Sequence, residues 1–309
     1  MRTLDRKLIR DVWRLRGQVF SIALVVAGGV MSVITMQSTF RSLERSRDDY
    51  YREQRFADVF ASLNRAPESL VTRIQEIGGV AAVRTRVVYR VVLNVPGLPQ
   101  TAVGQVVSVP ERRQPMLNDL FVRSGRWVAA GRADEVLVSE RFAQVNGLEA
   151  GDTLGAIVNG RHRALQVVGL ALSPEFVYEV EPTGGFVSDE RLFGVLWMGR
   201  EALAAAADMT GGFNDVSLAL APGANADAVI DELDRLLEPY GGRGAFPRAD
   251  QISNRLLSDE IRQNHPKLTR LDVAGKPSIG PSRLLPSFPY DATTFTMLGA
   301  FFCRLSASA

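Results

Sequence analysis

Cysteine and histidine are almost missing from this chain of 309 residues: Cys303 is the single cysteine, and His162 and His265 are the two histidines. One cysteine excludes an intramolecular disulfide, and so few thiols and imidazoles exclude a His/Cys metal constellation. Net charge is scarce too, at +2, so there is no broad basic footprint for nucleic acid. A mean hydropathy of +0.01 excludes a protein built mostly of membrane spans.

Charge is absent in one more place, and there its absence is the main signal. No residue between Gly17 and Phe40 is charged, a run long enough to cross a hydrocarbon core of roughly 30 Å as one helix. Arg2, Arg6, Lys7, Arg10, Arg14 and Arg16 precede it against only Asp5 and Asp11, whereas both signs mix after it. Lys and Arg resist translocation, so the N-terminus is expected to be cytoplasmic and the long polar remainder outside. A cleaved signal peptide has an apolar stretch of about 7–15 residues ending at a small-x-small site. Here the run continues past Ala27-Gly28-Gly29 through Val30, Met31, Val33 and Ile34, which favours an uncleaved anchor.

The flanks of the span have their own pattern. Leu4, Leu8, Ile9, Val12, Trp13 and Leu15 alternate with basic residues, so 1–16 is expected to be an amphipathic helix at the cytoplasmic interface. Trp13 would sit at headgroup level, with Arg10, Arg14 and Arg16 reaching lipid phosphates. Inside the span, 17–40, Ala23 with Ala27 and Gly28 with Ser32 are small-xxx-small pairs that let a neighbouring helix approach closely. A polar, helix-favouring stretch over 41–56 reads as a stalk.

Beyond the stalk the periodicity predicts a strand over 57–63, a helix over 64–78 and one long Val-rich strand over 80–95. The same order returns as a strand over 214–221, a helix over 225–237 and a short strand over 244–248. In that second helix Ala228, Ile230, Leu233, Leu236 and Leu237 are expected to face inward. The expected fold class is therefore α+β: one N-terminal transmembrane helix, then a split βαβ, ferredoxin-like domain made of 57–97 and 200–249. A small β-rich subdomain, 98–199, interrupts it. Within that insertion a strand over 135–138 leads to a short helix capped by Ser139 and ended by Gly147. Asn159-Gly160 joins strands over 153–158 and 161–172 as a two-residue hairpin. A further helix is expected over 250–264, and 265–309, with Pro277, Pro281, Pro286 and Pro289 among serines, is expected to be unstructured.

Chemistry-bearing residues are few. Glu175, Glu179 and Glu181, with Tyr178, form the densest acidic cluster, and paired carboxylates can serve glycoside hydrolysis. Pro174, Pro182 and Gly184-Gly185 around them predict solvated loop carboxylates instead. His162, between Arg161 and Arg163, reads as a surface residue. Ser139 lacks the flanking glycines of a nucleophile elbow. Gly241-Gly242-Arg243-Gly244 lacks the Lys-Ser/Thr of a phosphate-binding loop and precedes a strand, so it is a turn. No catalytic, cofactor-binding or metal-ligating residue is expected, and the chain is not expected to be an enzyme.

Several stretches taken in order carry a resemblance: KLIRDVWRLRGQ before the span, GGVMSV within it, SGRW at 124–127, DEVLVSERFA at 134–143, then GLEAGDTLGAIV and VVGLALSPEF. From Met1 to about Asn264 the chain resembles the FtsX-like permease family of ABC transporters, close to its MacB-like and DevC-like branches. The resemblance implies that the split unit is a porter-like subdomain and the insertion its smaller companion, together an extracytoplasmic core at the cell inner (plasma) membrane. It implies coupling of a partner ATPase to export or mechanotransmission. The implied partners are a cytoplasmic ABC ATPase subunit, a second permease subunit in a homo- or heterodimer, a periplasmic adaptor protein and membrane lipid, with no cofactor and no nucleic acid. Such permeases carry further spans, yet no apolar run long enough to span follows 250–264, the patch Met297–Cys303 being far too short, so an end or a shifted frame after Asn264 is expected. The rival class is a single-pass membrane sensor or adhesion protein with an extracytoplasmic ligand-binding domain; a membrane-embedded hydrolase ranks behind both.

Overall fold

The computed structural model describes residues 16–179 and 190–263. The leading helix expected over 1–15, with Arg10, Trp13 and Arg14, lies outside the described residues, as do Glu181, His265 and Cys303. The chain divides into two units, one holding residues up to Asp49 and from Ile261, the other Tyr50–Glu260.

In chain order the elements are α1 (Arg16–Glu53), β1 (Val59–Pro67), α2 (Leu70–Gln75), β2 (Val80–Arg86), β3 (Val88–Asn94), β4 (Ala102–Val109), β5 (Phe121–Gly125), β6 (Glu135–Ser139) and α3 (Glu140–Asn146). There follow β7 (Thr153–Val158), β8 (Arg161–Leu172), β9 (Phe193–Gly199), α4 (Arg200–Ala206), β10 (Gly212–Leu220), α5 (Ala226–Leu237), β11 (Phe246–Pro247) and α6 (Ile252–Gln263). The result is a mixed α+β fold with one long N-terminal apolar helix. That helix has 38 residues and no interruption, so the expected span and stalk are one element.

The second unit holds two sheets. The smaller has the order β11-β1-β10-β2, antiparallel throughout. Its core is Val59, Ala61, Phe213, Val216 and Leu218 of the strands packed with Leu70 and Ile74 of α2 and Val229, Leu233 and Leu237 of α5. Burial on α5 therefore runs through Val229 rather than Ala228, which is exposed. Asn225 caps α5, its side-chain oxygen accepting the Asp227 and Ala228 N–H groups.

The larger sheet has the order β5-β8-β6-β9-β4-β3-β7, with a further β8–β7 pairing. The long β8 pairs with β7 through Arg161–Gln166 and with β6 from Gln166 to Ala171, so the sheet closes on itself. Gly194 and Gly104 leave no room for a side chain: a Cβ on Gly194 would stand 2.6 Å from the Phe142 ring, and one on Gly104 2.8 Å from Leu93 and 2.9 Å from Val91. The Asn159-Gly160 hairpin turn is present as expected, with φ of 48° and 73°. Gly147 ends α3 in the left-handed region, also as expected.

The long strand expected over 80–95 is a different matter. It is two strands: β2 belongs to the small sheet and β3 to the large one, with the chain changing sheets at the buried Val87. Residues 200–206, expected with the split domain, form α4, and Leu203, Ala204 and Ala206 pack into the core of the large sheet. The large sheet thus claims residues on both sides of 98–199. Alternation has the same period in either sheet, so nothing in the pattern marks where a strand changes partners.

Candidate functional site at the junction of the two sheets

Within its own unit, α1 is exposed along its apolar length. Phe20, Val25 and Met31 are 70%, 73% and 69% exposed, and in an 18-residue window of mean hydropathy 1.8 no residue is buried. The uncharged run would be roughly 36 Å long as a helix, enough for a bilayer core. Three of its hydroxyls are satisfied internally: Ser21, Ser32 and Thr39 donate to the carbonyls of Gly17, Gly28 and Thr35 at 2.9, 2.9 and 3.0 Å. A helix in lipid needs that arrangement, because no water is at hand for a free donor. Ala23, Ala27, Gly28 and Ser32 are all exposed. At 3.6 residues per turn the two pairs lie about 140° apart around the helix, so they form two narrow faces. Arg16 is the first described residue of α1.

In the second unit, the end of α1 is held by the small sheet and by the connection between β4 and β5. The rings of Tyr51, Phe56, Phe60 and Phe246 follow one another at centroid distances of 4.5, 5.6 and 5.8 Å, reaching β1 and β11. The carbonyls of Gln54 and Arg55 accept N–H bonds from Asp119 and Asn118 at 2.8 and 3.0 Å. Asn118 also takes the Ala57 N–H at 2.7 Å and donates to Ser217 at 3.3 Å, bridging toward β10.

At the sheet change itself the polar groups are paired across the junction. Asn214 imitates a strand, accepting the Val88 N–H and donating to the Val88 carbonyl, both at 2.8 Å. Ser108 exchanges two 2.9 Å bonds with Val87. At the centre is an ion triad. Arg86, at the end of β2, donates Nε to Asp215 of β10 at 2.7 Å and Nη2 to Glu175 at 2.9 Å, while Nη1 bonds the other Glu175 oxygen. The Arg86 side chain is 4% exposed, Glu175 8% and Asp215 19%. Burial alone would push the guanidinium down, but Asp215 and Glu175 together hold it above its ordinary value and therefore charged.

Glu175 is thus a correction to the solvated reading of the acidic cluster. Ser173 accepts the Glu175 N–H and opens a single turn, Pro174–Phe176, that aims the carboxylate inward. The same segment reaches the start of α6: Gln251 donates to the Glu175 carbonyl at 2.7 Å, and Tyr178 N–H donates to Ser253 at 2.9 Å. Glu179 is only half-buried, yet desolvation pushes it up to about 8 against the hydrogen bond from Ser139. Ser139 stands at the N-cap of α3 without a capping bond, its hydroxyl going to Glu179 and accepting from Val195 N–H at 3.4 Å. His162 is exposed, as expected. Among the described residues no group of three or more His, Cys, Asp or Glu could hold a metal ion.

The short sequence stretches acquire physical reasons. In SGRW, Gly125 has φ of 79° and lies against the backbone of Val168 and Gly169. Arg126 grips buried Glu135 with two bonds of 2.8 and 2.7 Å, holding that carboxyl below its ordinary range. Trp127 donates to the Pro110 carbonyl at 3.0 Å beneath the Arg113 guanidinium, which stands 4.8 Å from its ring.

Comparison with known proteins follows the same span. Comparison with curated proteins found no match. Among solved structures, the extracellular domain of the ABC-type transporter YknZ from Gram-positive bacteria is similar at 13% identity and a TM-score of 0.40, covering 61% of this chain and 98% of that one. The periplasmic region of MacB from Actinobacillus actinomycetemcomitans is similar at 12% identity and a TM-score of 0.40, covering 69% and 94%. Residues 20–236, well over half of the chain, match the MacB-like periplasmic core domain, from inside the apolar helix to the end of α5. On that match, the chain belongs to the MacB-like periplasmic core domain family.

Proposed function

We propose that this chain is a permease component of an ABC transporter, anchored in the cell membrane by 17–40 with its N-terminus cytoplasmic and its sheets outside. The observation that carries this is the single family match running from the apolar helix through the two-sheet unit. In this scheme the small sheet with α2 and α5 is the porter-like split βαβ domain, a reading supported by its order β11-β1-β10-β2 with a helix inside each half. The large sheet is the inserted companion. Arg10, Trp13, Arg14 and Arg16 hold the cytoplasmic interface, and the faces carrying Ala23 and Ala27, or Gly28 and Ser32, receive a second permease subunit.

Energy comes from a cytoplasmic ATPase subunit, since the chain itself carries no phosphate-binding loop. Movement of the membrane helices reaches the two-sheet unit at the Tyr51–Phe56–Phe60 rings and at the start of α6. The segment around Glu175 then relays displacement between sheets, because its backbone is bonded to Gln251 and Ser253 while its carboxylate holds Arg86. Coupling of this kind requires an element with two arrangements that both ends bias. Export, or switching of a periplasmic adaptor, is the output.

The test is co-reconstitution in lipid discs with a nucleotide-binding subunit encoded beside the chain. A stoichiometric complex whose ATPase rate depends on this chain supports the proposal. A correctly inserted chain that neither binds nor alters such a subunit contradicts it and favours a single-pass sensor.

A further inference from the structure

A cleft of about 470 Å³ lies at the same junction, and its charges do not balance. Its cations are Arg55, Arg84 and Arg200, and its one lining acid, Glu68, is taken by Arg200. Arg84 bonds only carbonyl oxygens, those of Leu117, of Asn118 at 3.3 Å and of Ser108 at 3.2 Å. Arg55 is exposed, and its backbone fixes it at the rim, with φ of 50° and its carbonyl bonded to Asn118. Among the described residues no carboxylate forms an ion pair with Arg55 or Arg84. Burial and the neighbouring Arg86 push Arg84 down to about 9, and the charges of Glu175, Asp215 and Asp119 offset this only in part, with no bond to it. An anion entering the cleft would give Arg55 and Arg84 the bonded counterion that neither has.

The remaining wall has an apolar side, with Val83, Val109, Pro110 and Met116, beside the polar Thr85, Ser108 and Gln114. Pockets of this size hold small organic molecules. A planar carboxylate suits the guanidinium fork better than a bare halide, because two parallel N–H bonds can form. We propose that the cleft binds a small amphipathic carboxylate, its head between Arg84 and Arg55 and its apolar body along Val83, Val109 and Met116. Binding here needs no ATPase, so this assignment and the transporter proposal can fail separately.

The test is a ligand-observed NMR titration of the full chain in neutral lipid discs with hexanoate, using hexan-1-ol as the uncharged counterpart and empty discs as background. Saturable hexanoate binding at one site is expected, with hexan-1-ol no better than background. Loss of one charge-assisted contact should weaken binding about tenfold or more. Arg55→Gln should show that loss without touching the fold, since Arg55 is exposed and its side chain bridges nothing. Arg84→Lys, which keeps the charge but not the fork, should weaken binding as well. No saturable hexanoate signal, equal binding of hexan-1-ol, or unchanged affinity in folded Arg55→Gln overturns the assignment.

Discussion

Replacing Arg86 with methionine should be among the most damaging single changes available in the two-sheet unit. Met roughly fills the stem volume but leaves Glu175, 8% exposed, and Asp215, 19% exposed, without the cation that bonds them both. Removing one partner of a buried pair costs about 3–5 kcal/mol, because the surviving charge is desolvated and unpaired. For a urea m-value of about 2 kcal/mol/M, that is a fall in midpoint of about 2 M. Unfolding can be followed by the fluorescence of Trp197, which is buried and lies edge-on to Phe176 at 6.3 Å, close to the Glu175 turn. The apolar triple replacement Arg86→Met/Glu175→Leu/Asp215→Leu should recover most of the loss, since well-packed hydrophobes often match a buried ion group in stability. A cost below about 1 kcal/mol for Arg86→Met, the range of exposed pairs, would refute the buried-triad reasoning.

Other substitutions probe the remaining contacts. Glu179, pushed up to about 8, makes the folded state the stronger proton binder. Its stabilising contribution is therefore full below the ordinary carboxylate range and fades as pH rises toward 8. Glu179→Gln should flatten the pH dependence of the urea midpoint between those limits, and a slope equal to wild type counts against the assignment. Gly125→Ala places a Cβ 2.5 Å from the Gly169 Cα at a φ of 79°, where neither backbone can yield cheaply. A loss of about 2 kcal/mol is expected, and a melting temperature within a degree of wild type would contradict it. Phe60→Ala breaks the ring series between Phe56 and Phe246 and should cost about 3–5 kcal/mol; a loss under about 1 kcal/mol would mean that the rings merely coincide.

Local signals were legible wherever they alone decide structure. An uncharged run of residues, an Asn-Gly pair needing positive φ at both positions, and a glycine after a short helix each point to one backbone solution. The strand spanning Val87 was not legible, because its alternation continues unbroken while its partners change from β10 to β4 and β7. Glu175 was misread for a related reason. Its surroundings in sequence are loop-like, and the cation that pairs with it lies at the end of β2, 89 residues away. One available hint was Ser173-Pro174-Glu175, a cap-and-turn pattern that can fix a carboxylate's direction. Ser139 shows the limit from the other side: the residue type suits a cap, yet its hydroxyl bonds Glu179 from a segment 40 residues on.

The central claim is that the two-sheet unit lies outside the membrane, and one labelling experiment tests it most directly. Asn159 is a poor site for a cysteine because its φ of 48° disfavours most side chains. Exposed His162, three residues on in β8, is better suited. With Cys303 replaced by serine, His162→Cys should react with a membrane-impermeant maleimide on intact spheroplasts as completely as after lysis. Labelling that appears only after lysis would place the unit in the cytoplasm and contradict the account.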